Sequence, residues 1–77
     1  MTRHVYFGRD ADGIFVKDAQ SDHPTPATPV IDGEPVEDTM HLELFHRGEP
    51  VIVYWREAEI ERAAMPALIE AYLQSLP

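Results

Sequence analysis

The chain has 77 residues, with 14 Asp and Glu against 6 Lys and Arg and a net charge of −8. That balance argues against nucleic acid and anionic membrane as direct partners, because both need Lys and Arg to neutralise phosphate. It favours a protein partner with a basic surface. With no Cys, neither a disulfide nor a thiolate cluster can staple the fold.

A chain this short is read as one small domain, residues 1–77. Such a domain buries only about 60% of the surface its unfolded form exposes, so packing or a partner must supply stability. Three apolar residues follow Met1-Thr2-Arg3-His4, too few for a secretory leader. No apolar run approaches the roughly 20 residues of a membrane span. With the missing Cys, these features point to a cytoplasmic protein that meets no membrane.

His4 to Ala19 reads as a β-hairpin. Val5 and Phe7 alternate with Tyr6 and Gly8, and Ile14 and Val16 alternate with Phe15 and Lys17. The connection Asp10-Ala11-Asp12-Gly13 ends in Asp-Gly, which suits a turn needing positive φ. Any loop of even length places Val5, Phe7, Ile14 and Val16 on one face. Gly8 leaves a gap that a cross-strand aromatic, Phe15, can cover. The Asp10-x-Asp12-Gly13 spacing lacks the further ligands of a calcium loop and is read as turn chemistry.

Residues 20–38 form a proline-rich, acidic connecting segment. Pro24, Pro26, Pro29 and Pro35 remove backbone donors and bias their predecessors to extended conformations. Asp32-Gly33 marks a turn, and the short stretches Pro29-Val30-Ile31 and Pro35-Val36 beside it suit edge strands. Asp32, Glu34, Glu37, Asp38 and Glu43 follow one another with no Lys or Arg among them.

Thr39 to Trp55 reads as a second hairpin whose register is set by parity. A two-residue loop, Arg47-Gly48, pairs Leu44 with Val51, Leu42 with Val53 and Met40 with Trp55 on one apolar face. The other face then pairs Phe45 with Pro50, Glu43 with Ile52 and His41 with Tyr54. A three-residue loop would scramble both faces. Arg56 to Leu76 is helical by composition, interrupted by Pro66, which predicts a kink or two helices. Its apolar stripe is expected to cover the Met40/Leu42/Leu44 face.

The expected fold is therefore α+β: an antiparallel sheet of about four strands (two β-hairpins) with a C-terminal helix, kinked or split near Pro66, packed on one face. His4, His23, His41 and His46 show no helical i, i+4 spacing, so no metal site is expected. No nucleophile motif or glycine-rich phosphate loop is present, and no cofactor or enzymatic activity is expected.

The outer face of the second hairpin is too apolar for plain solvent surface. Phe45, Ile52 and Tyr54 sit there beside His41 and Glu43, an arrangement that suggests a protein interface. The alternative is that the proline-rich segment folds back over it. The expected function is a small acidic protein-binding module, an inhibitor or adaptor that occludes a basic partner. Asp32, Glu34, Glu37, Asp38 and Glu43 would steer, Phe45, Ile52 and Tyr54 would anchor, and His41 is the remaining partner-binding residue. Phage inhibitors of bacterial defence, anti-CRISPR proteins among them, and immunity proteins share this size and charge, though no motif. A structural homodimer is the competing reading.

Overall fold

The computed structural model describes residues 2–21 and 28–77. Four long strands form one sheet: β1 (Arg3–Asp10), β2 (Gly13–Asp18), β5 (Met40–His46) and β6 (Glu49–Trp55). Between them, β3 (Val30–Ile31) and β4 (Glu34–Pro35) form a separate two-stranded sheet. A single 3-10 turn, Arg62–Ala64, precedes helix α1 (Met65–Gln74). The fold is α+β.

The sheet order is β2-β1-β6-β5. Both outer ladders are antiparallel hairpins, but β1 and β6 pair in parallel at the centre. The sheet is thus mixed rather than wholly antiparallel, and among the described residues the short β3–β4 hairpin lies outside it. The physical reason lies in Val51-Ile52-Val53-Tyr54-Trp55, buried along its whole length. A strand apolar on both faces belongs at the centre of a sheet covered on both sides, as parallel strands are. Val5, Tyr6 and Phe7 of β1 are buried in the same way.

The expected register of the β5–β6 hairpin is the observed one, from Met40 opposite Trp55 to Phe45 opposite Pro50. Arg47 (φ 53) and Gly48 (φ 82) both take the left-handed conformation, which gives the turn that matches strand twist. Pro50 lies just beyond the end of the β1 ladder, which starts at Arg3–Val51, so its missing donor breaks no bond to β1. In the first hairpin Phe7 faces Val16 across an even loop, and Gly8 faces Phe15. Asp10 Oδ1 accepts from the Asp12 N–H at 2.8 Å, so that carboxylate serves the turn.

Two cores sandwich the sheet. On one face Val5, Phe7, Val51, Val53 and Trp55 pack with Ile60, Met65 and Ile69 from the C-terminal region. On the other, Tyr6, Ile52 and Tyr54 pack with Ile31, flanked by Phe15, Ala19 and Val36. The Asp32-Gly33 turn (φ 53 and 83) closes the β3–β4 hairpin that carries Ile31 over this second face. Of the proline-rich stretch, residues 20–21 and 28–38 are described; His23, Pro24 and Pro26 lie outside the described residues.

The C-terminal region is less helical than its composition suggests. Arg56 to Glu61 forms turns, tied to β1 by Tyr6 and Arg9, not a helix. Pro66 sits in the first turn of α1, where its missing N–H has no intrahelical acceptor to lose. No helix among the described residues is long and apolar enough to cross a membrane.

Candidate protein-binding face

The residues expected to meet a partner divide into three groups. Ile52 is 4% exposed and Tyr54 is fully buried. They do not form an open aromatic surface, because the β3–β4 hairpin lies over them and Ile31 supplies the covering side chain. Their anchoring role is corrected to a core role. His4 Nδ1 lies 3.2 Å from the Tyr54 hydroxyl, and the His4 ring stacks on it at 6.1 Å. Burial raises the Tyr54 pKa, opposed by a hydrogen bond with Ser21.

The second group is Asp32 and Glu34, at the β3–β4 turn. Asp32 Oδ2 accepts from Lys17 Nζ at 3.1 Å. Lys17 belongs to β2, so this carboxylate sits toward the β2 side of the sheet and is partly neutralised. Glu34 is exposed beside it.

The third group stays at the opposite edge. Glu37 and Asp38 are exposed and lead directly into β5, with Asp38 in the left-handed conformation at φ 58. His41, Glu43 and Phe45 alternate along β5 on the same face as Tyr54, Ile52 and Pro50. All three are exposed, and Phe45, at 70%, is the most open large apolar residue among those described. The sheet separates β2 from β5 by two strands, roughly 14 Å at ordinary strand spacing. The nine expected contact residues therefore do not converge; Glu37, Asp38, His41, Glu43 and Phe45 form the coherent set.

Two features of the edges were not read from the sequence. Leu42 is 44% exposed because α1 packs over the central strands; Met40 and Leu44 of β5 still reach that core, and Leu42 does not. On the far edge Ile14 and Val16, expected in the core, are 39% and 40% exposed for the same reason. A single short helix cannot span four strands, and that width mismatch was the available signal.

Clefts also open on the surface of the described residues. One, of about 230 Å³, is lined by Arg3, His46, Arg47, Glu49, Val51 and Leu76. In it Arg47 Nη1 donates to the Pro77 carbonyl at 2.7 Å, while His46 Nε2 is buried with no partner among the described residues. Another lies beside Arg9, Glu57, Glu59 and Glu61. There Tyr6 donates to Glu59 Oε1 at 2.7 Å, and burial followed by that hydrogen bond pushes the phenol pKa up to about 12. No group of three or more His, Asp or Glu placed to hold a metal occurs among the described residues.

No protein-family model matches the chain, and comparison with curated proteins and with solved structures gives no significant match.

Proposed function

We propose that this chain is a small acidic protein-binding module, an inhibitor or adaptor without catalytic activity that occludes a basic surface on its partner. The observation that carries this reading is Phe45. It stands 70% exposed on a sheet edge, on a strand that Glu37 and Asp38 lead into and Glu43 shares. An exposed aromatic on an edge strand that also carries Glu43, with Glu37 and Asp38 at the strand's far end, has the make-up of an interface anchor with a charged margin. The carboxylates speed encounter and select a basic partner, and Phe45 supplies apolar burial. Mimicry of a phosphate-rich ligand is one form this takes: carboxylates stand where the partner otherwise meets phosphates.

The test is capture of a partner from bacterial lysate by the intact protein, at low and high salt. A combined Glu37→Lys, Asp38→Asn, Glu43→Lys variant reverses the charge at residues 37 and 43 and removes it at 38, where Asn keeps the left-handed backbone. A basic partner that is lost with this variant and with Phe45→Ala supports the reading. Capture unaffected by either change overturns it.

The exposed pair Ile14 and Val16 on β2 favours a second reading, a homodimer joined through that uncovered part of the sheet face. Light scattering at micromolar concentration decides it; a monomer there removes the dimer.

A further inference from the structure

We infer that the free edge of β5 binds an extended basic segment of the partner by antiparallel strand addition. This rests on the reading above that the partner is a basic protein.

The hairpin register determines which backbone groups are free. Across the Arg47-Gly48 turn, His46 and Glu49 form the first hydrogen-bonded pair. Leu44–Val51, Leu42–Val53 and Met40–Trp55 are then the other bonded pairs along the ladder. The N–H and C=O groups of His41, Glu43 and Phe45 point away from β6. β5 is the last strand of the sheet, and no backbone hydrogen bond from another described element reaches these groups. They form a ready ladder for another strand.

Natural edges are usually blunted by Pro, Lys, a bulge or short length. β5 shows none of these: it is 7 residues long and pairs without interruption from Met40 to His46. The β2 edge differs, since it carries Lys17 and its chain runs on into the Gln20–Val30 bridge.

Charge decides the occupant. Pairing two copies of β5 about its centre sets Glu43 against Glu43, which like charge opposes. A lysine or arginine opposite Glu43 is favoured instead. On the other face of the same edge Leu42, 44% exposed, accepts an apolar neighbour. The segment recognised is therefore one in which basic and apolar residues alternate, with the basic ones beside Glu43 and Phe45 and the apolar ones beside Leu42.

A capped eight-residue peptide of alternating Lys and Val probes this, titrated into the 15N-labelled protein. Two isomers carry N-methyl groups on the Lys amides or on the Val amides; composition and charge are identical. Antiparallel addition with lysines beside Glu43 directs the Lys amides at β5. The Lys-methylated isomer is then expected to lose affinity about tenfold or more, from two or more hydrogen bonds worth about 1 kcal/mol each. The Val-methylated isomer should keep it, with shifts and slowed exchange at the amides of His41, Glu43 and Phe45. Equal affinity of the two isomers, the reverse preference, or responses confined to β2 overturns strand addition but leaves the acidic binding reading intact. Failure of all three peptides to bind counts against both.

Discussion

Phe15 lies over Gly8. The two residues face each other across the β1–β2 ladder, and the Phe15 ring occupies the space a side chain at residue 8 would need. A Cβ built on Gly8 falls 2.9 Å from both Cε atoms of the ring and closer still to Cζ. Gly8→Ala is expected to displace Phe15 from Tyr6, whose ring lies 6.3 Å away, and to destabilise by about 1–3 kcal/mol. Urea unfolding measures this. Placing Gly8→Ala in a Phe15→Ala background should remove most of the added cost, and strict additivity would contradict the contact.

Tyr6 makes stability depend on alkaline pH. Its phenol is neutral in the fold up to about pH 12, against about 10 when unfolded, because it is buried and donates to Glu59. A folded pKa above the unfolded one gives stability that is complete below pH 10. That stability is lost as pH rises through 12, by on the order of 2 kcal/mol. Tyr6→Phe should lower stability at neutral pH and flatten the fall between pH 10 and 12, leaving the smaller slope due to Tyr54. Denaturation midpoints across pH 8–12 give the answer; an unchanged slope would refute the assignment.

Arg47 and Gly48 respond to substitution in opposite senses. Arg47 holds φ 53, which costs a side chain with a Cβ, whereas Asn tolerates it. Arg47→Asn is expected to raise stability by up to about 1 kcal/mol, less whatever its exposed contact with Pro77 contributes. Gly48→Ala, at φ 82, should cost about 1–2 kcal/mol. Thermal melts of both variants suffice. A stabilising Gly48→Ala would argue against the two-residue turn.

Ile31 holds the small hairpin against the second face. Truncating it to Ala is expected to cost about 2 kcal/mol, at the low end for core aliphatics because its strand is only 2 residues long. The loss should be local as well as global. Amide exchange beside Ile52 and Tyr54 should quicken before the helix-side core opens. Uniform quickening across both faces would show that the hairpin does not act as a separate cover.

Some of this architecture was legible in the chain, and the limits have physical causes. The β5–β6 register followed from Arg47-Gly48 because a one-residue slip flips every side chain, so only one loop length gave a clean apolar face. The turn at Asp32-Gly33, with short strands on either side, was legible from Gly, Pro and Asp placement. The partner of β1 was not, because parallel pairing leaves no local turn signature. Val51 to Trp55 can be read as an alternating strand, but its continuous apolarity marks burial on both faces, so Ile52 and Tyr54 do not reach the surface. Phe45, at the edge of the same face, escapes the cover. Arg56 to Glu61 has helix-forming composition, but Tyr6 and Arg9 hold it in turns, and such tertiary override is invisible to propensity.

The parallel β1–β6 ladder also bears on how the chain assembles. His4 and Tyr54, whose side chains meet across this seam, are 50 residues apart in sequence. Each outer hairpin closes a short loop and forms locally, on the microsecond scale. The seam requires a long loop to close before its contacts add any stability. Joining two preformed halves is therefore the slow event, and until it happens the apolar flanks of β1 and β6 remain open to the wrong neighbour. During synthesis the first half must wait for Val51 to Trp55 to emerge. A protein whose central strands are the last to meet is most vulnerable to aggregation in that interval, and its high negative charge keeps nascent copies apart while they wait.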